Sequence, residues 1–175
     1  MNKLLIVCAA IFFFIAAAVG AYDRPATIED FYDVSARTRV IAHRGFSGAA
    51  PENTIAAVRE AIEINADMVE IDVTLTADGH VVVIHDETLD RTTDGSGQVS
   101  DFTRAELQLL DAGAWFAPRF RGERIPSLDA VLDEINDRIL LNVEIKSEAV
   151  DRGIVAKVAS AIQRQGMIGQ VVVSS

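Results

Sequence analysis

Short apolar runs of strand length alternate along this chain with amphipathic helical patterns, and this alternation constrains the fold most strongly. Five runs have the length and composition of buried strands. Between them, apolar residues recur at the three- and four-residue spacing of one helix face. The predicted strands cover residues 40–42, 68–75, 81–84, 139–145 and 171–173. Because strands that alternate with helices typically build a parallel sheet, the sequence predicts an α/β fold.

The number of strands indicates part of a larger barrel. A complete eight-stranded barrel with alternating helices typically needs about 250 residues, whereas this chain has 175. The last predicted strand is apolar and stands at the end of the sequence, which is not how a domain normally finishes. We therefore expect only about the first five strands of such a barrel. The weakly patterned residues from about 86 to 126 predict a small insertion after the third strand.

The first 21 residues have the pattern of an export signal. Lys3 provides a positive charge, an unbroken apolar run covers residues 4–19, and small residues precede Tyr22, where we expect cleavage. The alternative is that the apolar run remains as an N-terminal membrane anchor. We expect a periplasmic or secreted protein without stable membrane insertion after cleavage. Residues 22–38 are then an irregular lead-in to one domain.

The charge balance limits the partners that this chain can bind. It has 16 basic and 26 acidic side chains, a formal net charge of −10, and one cysteine. The predicted signal contains that cysteine, so we expect no disulfide in the exported part. The negative charge disfavours nucleic acid and anionic membranes as partners. An anionic substrate would need a site that is locally positive.

Charged and imidazole side chains stand at the ends of four predicted strands. Enzymes built on such barrels gather their functional residues at the carboxyl ends of the strands. Residues two apart on a strand also share one face of the sheet. In chain order, the four pairs are His43 and Arg44, Glu70 and Asp72, His85 and Asp86, and Glu144 and Lys146. We therefore expect the four pairs to meet at one rim.

The Asp78-Gly79 dipeptide predicts how two of these strand ends approach each other. As the centre of a two-residue hairpin turn, it would place Asp72 opposite His85, with Cβ atoms about 4.5–5.5 Å apart. If the flanking segments are instead separate barrel strands, they still converge at one rim. Either arrangement brings Asp72 and His85 close together.

The acidic residues at this rim predict a cation site. Three carboxylates in close proximity either have raised pKa values or bind a cation. The candidate ligands are Glu70, Asp72 and Glu144. Because these are hard oxygen ligands with no thiolate among them, they favour Ca²⁺ or Mg²⁺.

The remaining residues at the rim suit a phosphodiester substrate. Arg44 and Lys146 can neutralise the charge that grows on the phosphoryl oxygens. His43 and His85 can act as the base on the nucleophile and the acid on the leaving oxygen. Together with a bound cation, these residues would make the site positive although the chain is acidic.

Each motif also has an ordinary structural interpretation. The alternatives are a solvated strand face for Glu70 and Asp72, a surface ion pair for Glu144 and Lys146, a turn cap for Asp86, and a helix N-cap for Asn53. The conjunction of four polar strand ends with complementary chemistry favours the functional interpretation.

Five stretches of the chain resemble the glycerophosphodiester phosphodiesterase family, which is related to the phosphoinositide phospholipases C. They are IAHRGFSGAAPENT (41–54), MVEIDVTLTADGHVVVIHDETLDRTTDGSG (68–97), LDAGAWF (110–116), RIPSLDAVL (124–132) and LNVEIK (141–146). Their order and spacing identify residues 39–175 as a domain of this family. The resemblance implies a (β/α)8 TIM barrel with its insertion at about residues 86–126.

The resemblance also implies an activity, the hydrolysis of glycerophosphodiesters to sn-glycerol 3-phosphate and an alcohol such as choline or ethanolamine. It implies one divalent cation, Ca²⁺ or Mg²⁺. In the implied site, the metal ligands are Glu70, Asp72 and Glu144, the acid–base pair is His43 and His85, and the phosphate contacts are Arg44 and Lys146. Two alternatives remain: a truncated or degenerate barrel that binds without turnover, and a lipid-directed relative resembling the sphingomyelinases D.

Overall fold

The computed structural model describes residues 24–33, 38–146 and 153–175. Its strands are β1 (Ile41–Ala42), β2 (Met68–Leu75), β3 (Val81–Val83), β4 (Leu140–Ile145) and β5 (Val171–Ser174). Strands β1, β2, β4 and β5 are neighbours in that order, and every pairing among them is parallel. The predicted α/β fold is confirmed. The predicted signal peptide lies outside the described residues and stays a prediction.

Helices accompany the sheet, and most of those in the described residues begin at side-chain caps that the sequence supplies. They are α1 (Ile28–Phe31), α2 (Ile55–Glu63), α3 (Arg104–Leu107), α4 (Leu128–Ile135) and α5 (Ile154–Arg164), with 3-10 turns at Val99–Asp101 and Pro118–Phe120. The side chains of Thr54, Thr103 and Ser127 accept the backbone N–H bonds that start α2, α3 and α4. Within the described ranges, no helix combines the length and apolar character needed to cross a membrane.

Strand β3 folds back on β2 as an antiparallel hairpin. Thr76 and His80 enclose a three-residue loop, in which Gly79 has a φ of 75° and donates its N–H to the Thr76 carbonyl. This turn type places glycine in the left-handed region. Because the loop holds three residues and not the predicted two, Asp72 pairs with Ile84, whose N–H donates to the Asp72 carbonyl at 3.0 Å. The predicted pairing of Asp72 with His85 is therefore wrong by one residue.

The main core lies between the sheet and helices α2, α4 and α5. Its residues include Val69, Ile71 and Val73 of β2. A second apolar cluster joins β3 to the residues that follow it, and Leu89 and Leu107 are fully buried in it. The predicted insertion therefore packs against the hairpin and positions the loop after β3.

The predicted irregular lead-in contains a short helix. Thr27 and Asp30 cap α1 reciprocally, and Phe31 packs on Met68 and Leu140, the first residues of β2 and β4. Helix α1 thus covers the amino-terminal end of the sheet, opposite the rim where the polar residues gather. The prediction of irregular structure is wrong here, because the Thr27 and Asp30 capping box starts a helix in this segment.

Candidate functional site

Three carboxylates converge at the carboxyl end of the parallel sheet. The register of β2 and β4 places Asp72 beside Glu144 and Glu70 beside Asn142. One carboxylate oxygen each from Glu70, Asp72 and Glu144 lies within 4.8 Å of the others. Glu70 and Asp72 are buried, and Glu144 is half-buried. The structure thus brings together the three carboxylates that the sequence predicted as ligands.

Lys146 balances part of this negative charge. Its Nζ lies 2.8 Å from Asp72 Oδ1 and 2.8 Å from Glu144 Oε1. Burial lowers the pKa of Lys146, but hydrogen bonds to the two carboxylates outweigh it and leave the pKa raised. The ammonium is therefore a permanent cation of the site. The alternative of an ordinary surface ion pair does not describe it, since Asp72 is buried.

Arg44 lies in a tight loop that closes over the carboxylates. Arg44 has a φ of 54° and Gly45 a φ of 77°, and a Cβ on Gly45 would stand 2.5 Å from Ala57 Cβ. The turn brings the Arg44 backbone N–H to Glu70 Oε2 at 2.7 Å. The Arg44 guanidinium lies 3.6 Å from Asp72 Oδ2 and 2.8 Å from Glu52 Oε1. The strained loop thus directs both polar ends of Arg44 to the site.

Glu70 is the least satisfied carboxylate of the cluster. Its Oε1 is buried and has no hydrogen-bond partner among the described residues. Burial, together with repulsion from Asp72 and Glu144, raises the pKa of Glu70 to about 7, against hydrogen bonding from the Arg44 amide. A cation between the three carboxylates would supply the missing partner and remove the repulsion. The donor set consists of oxygens only, so it fits the predicted Ca²⁺ or Mg²⁺.

Asn53 holds Asp72 in place. Its Nδ2 donates to Asp72 Oδ2 at 2.8 Å, and its Oδ1 accepts the Asp72 backbone N–H at 3.1 Å. The interpretation of Asn53 as an N-cap is wrong, because Thr54 caps α2. Asn53 has a φ of 57° and is buried. This left-handed conformation turns its amide away from the helix and towards the strand.

The two predicted catalytic imidazoles have different surroundings. His43 is 68% exposed, with Nε2 3.8 Å from Glu70 Oε2. His85 is half-buried, and its Nδ1 lies 2.7 Å from Asp86 Oδ1. The structure therefore places His43 at the carboxylate cluster and gives His85 an acidic partner of its own. The interpretation of Asp86 as only a turn cap does not explain this contact with the imidazole.

Two charged residues of this region were missed by the sequence analysis. Glu52 accepts hydrogen bonds from both Arg44 and Arg91, and Arg91 also donates to Asp86. The position of Glu52 directly before Asn53, in a loop that follows a strand end, could have indicated its role. Nothing in the sequence indicated which arginine would reach it.

The match to a family model covers the whole of this site. Residues 43–165 match the model of the glycerophosphoryl diester phosphodiesterase family. The chain belongs to this family. Its parallel strands and helices form part of the TIM barrel found in the structural neighbours, so the predicted fold class is confirmed.

Curated members of the glycerophosphoryl diester phosphodiesterase family are similar over most of this chain. A glycerophosphodiester phosphodiesterase from Caldanaerobacter subterraneus subsp. tengcongensis is 53% identical over 141 residues, which are 79% of this chain and 58% of the relative. Another from Bacillus subtilis is 38% identical over 142 residues, which are 77% of this chain and 48% of the relative. The chain thus spans about half the length of these family members.

Solved structures of family members superpose on the described fold. The glycerophosphodiester phosphodiesterase from Agrobacterium tumefaciens has a TM-score of 0.73 and 42% identity, over 78% of this chain and 57% of that one. A phosphodiesterase from Oleispira antarctica, solved with its product sn-glycerol-3-phosphate, has a TM-score of 0.70 and 40% identity, over 73% of this chain and 53% of that one.

Proposed function

We propose that this chain carries the metal site and the acid–base residues of a glycerophosphodiester phosphodiesterase. The observation that carries the proposal is the carboxylate cluster, with three acidic oxygens within 4.8 Å and an orphaned buried oxygen on Glu70. Glu70, Asp72 and Glu144 would hold one divalent cation, Ca²⁺ or Mg²⁺. When bound, the ion supplies concentrated positive charge for an oxygen of the phosphoryl group.

Arg44 and Lys146 orient the phosphate at this site. Both side chains contact Asp72 and are only partly exposed, so their charges are available at the rim without being fully hydrated. The Arg44 guanidinium offers a planar fork that fits phosphoryl oxygens, while Lys146 acts as a point charge. Together with the bound cation, they attract an anionic substrate to a chain whose net charge is −10.

His43 and His85 move the protons of the reaction. One imidazole takes a proton from the nucleophile, which is water or the neighbouring glycerol hydroxyl, and the other gives a proton to the alcohol as its bond to phosphorus breaks. Attack by water gives sn-glycerol 3-phosphate directly, whereas attack by the glycerol hydroxyl gives a cyclic phosphate that water then opens to sn-glycerol 3-phosphate. The bound sn-glycerol-3-phosphate in the Oleispira antarctica neighbour supports a small glycerophosphodiester as substrate.

The test is the hydrolysis of sn-glycero-3-phosphocholine with Ca²⁺ or Mg²⁺ and again after chelation with EDTA. We expect turnover that requires the ion. His43→Ala and His85→Ala should each lower kcat by about 10²–10⁴-fold. His80→Ala is the matched control, because His80 flanks the hairpin loop, where it contacts Asp78. Full activity in EDTA would refute the metal role, and a near-wild-type rate for either variant would remove that imidazole from the mechanism.

A further inference from the structure

A network of charged side chains connects the loop after β3 with the loop after β1. It starts at His85, whose Nδ1 lies 2.7 Å from Asp86 Oδ1. Asp86 binds Arg91, Arg91 binds Glu52, and Glu52 binds Arg44, with each closest contact between 2.7 and 2.8 Å. The network thus joins His85 to Arg44, which lies beside the carboxylate cluster.

Arg91 is the centre of this network because it binds two carboxylates at once. Its Nε and one terminal nitrogen donate to Asp86 at 2.7 and 2.9 Å. Its two terminal nitrogens donate to Glu52 at 2.7 and 2.8 Å. Four hydrogen bonds from one planar guanidinium fix both the distance and the angle between its partners. A lysine has a single donor atom and cannot reproduce that geometry.

Asp86 in turn determines where the proton of His85 resides. Hydrogen bonds from Arg91 hold the pKa of Asp86 well below its usual range, with burial opposing and His85 adding to the effect. Asp86 is an ionised carboxylate at neutral pH, as an ordinary aspartate already is, and it only accepts hydrogen bonds. The His85 Nδ1 must then be the donor, and Nε2 is left with its lone pair.

We propose that Arg91 is a positioning residue for His85. By holding the Asp86 carboxylate with two hydrogen bonds, Arg91 keeps the neutral His85 ring in the Nδ1–H tautomer, with Nε2 free to exchange a proton. Glu52 anchors Arg91 to the Arg44 loop and so ties the imidazole to the phosphate-binding side of the rim. The expected effect on kcat rests on the proposed function, whereas the His85 tautomer can be measured in the folded protein whether or not it is active.

The primary test reads the tautomer directly. The chain contains only three histidines, so long-range ¹H–¹⁵N spectra of ¹⁵N-histidine-labelled protein can be assigned with His→Gln variants. We expect neutral wild-type His85 to show protonated Nδ1 and bare Nε2. Arg91→Met removes the two hydrogen bonds that hold the Asp86 carboxylate against Nδ1, so it should shift the signals towards the Nε2–H form. Arg164→Met is the matched control, since it breaks an arginine–carboxylate pair with Asp129 on the helices, and it should leave the His85 signals unchanged.

A second variant and a kinetic measurement distinguish the loss of His85 positioning from a failure to fold. Arg91→Lys keeps the positive charge and loses the fork, so it should shift the tautomer in the same direction even if Arg91→Met fails to fold. In kinetics, both variants should lower kcat by about ten- to hundredfold, a part of the ~10²–10⁴ that an acid–base group contributes. KM should change by less than about twofold, because Arg44 keeps its own hydrogen bond to Glu52 and Lys146 keeps its contacts with Asp72 and Glu144.

The outcomes distinguish this inference from the proposed function. Wild-type His85 signals in folded Arg91→Lys would overturn the positioning role, as would an unchanged kcat in an enzyme whose wild type is active. A wild-type chain that hydrolyses no glycerophosphodiester would refute the proposed function instead. In that case the tautomer measurement still decides on Arg91.

Discussion

Asn53 and Asp72 exchange two hydrogen bonds, one to the carboxylate and one from the backbone N–H of the same residue. The pair connects the loop after β1 to the middle of β2, and both residues are buried. Asp72 Oδ2 is thereby fixed, while Oδ1 remains with Lys146. The orientation of a carboxylate that we propose as a metal ligand thus depends on an amide from a separate loop, as is common in metal sites.

Replacing Asn53 with alanine tests this pair. The substitution leaves the buried Asp72 N–H without a partner, which costs about 1–3 kcal/mol, and adds the strain of a left-handed alanine. Asn136→Ala is the control, because Asn136 also has a positive φ but is exposed. We expect Asn53→Ala to reduce the free energy of unfolding in urea by about 1–3 kcal/mol more than Asn136→Ala does. Equal losses would show that only the backbone conformation matters.

The raised pKa of Glu70 predicts how stability depends on pH without metal. The folded-state pKa of about 7 exceeds the ordinary value of 4.5, so the folded state binds this proton more tightly than the unfolded state. The contribution of Glu70 to stability is therefore full below pH 4.5 and falls as the pH rises through about 7. In EDTA, the wild type should lose stability relative to Glu70→Gln across this window, measured by urea unfolding. A constant difference between the two proteins would contradict the assignment.

Removing the Lys146 ammonium tests its role as the counter-charge of Asp72 and Glu144. Lys146→Met leaves both carboxylates with less compensation, so the metal-free protein should lose about 1–3 kcal/mol of unfolding free energy. Saturating Ca²⁺ should reduce that loss, because the cation replaces the missing charge. Lys157→Met, an exposed lysine of α5, should have little effect with or without the ion. If the loss is the same in both conditions, the ion does not bind these carboxylates.

Helix α1 provides a test away from the site. Phe31 is buried on Met68 and Leu140, whereas its neighbour Tyr32 is 61% exposed. Phe31→Ala should lower the free energy of unfolding by about 3–5 kcal/mol, and Tyr32→Ala by less than about 1.5 kcal/mol. Thermal melts followed by circular dichroism would compare the two variants. Similar losses would mean that α1 does not cover the sheet end.

The parallel sheet and the carboxylate cluster were predictable because they follow from local patterns. A two-residue spacing puts Glu70 and Asp72 on one face, and parallel pairing brings Glu144 to the same end. The hairpin register was not predictable from Asp78-Gly79, since a turn of two or three residues has the same glycine signal. The three-residue form is stabilised here by Asp78, which accepts hydrogen bonds from Thr76 and from the distant Arg104 amide.

The contacts that orient the site were less accessible to sequence reasoning. Asn53 acts on Asp72 only because of its left-handed backbone, and that conformation depends on the loop closed by Arg44. Arg91 and Glu52 are 39 positions apart and meet through the packing of the segment after β3. Long-range pairs of this kind depend on tertiary structure, so residue spacing alone does not specify them.

Calorimetric titration of the metal-free chain with Ca²⁺ and with Mg²⁺ tests whether Glu70, Asp72 and Glu144 bind one divalent cation. We expect a single site in the wild type and a loss of affinity of more than about tenfold in each of Glu70→Gln, Asp72→Asn and Glu144→Gln. Glu134→Gln, which alters a carboxylate of α4 bound to Arg59 and Arg138, should titrate like the wild type. Undiminished binding in the three cluster variants would show that these carboxylates do not bind the ion.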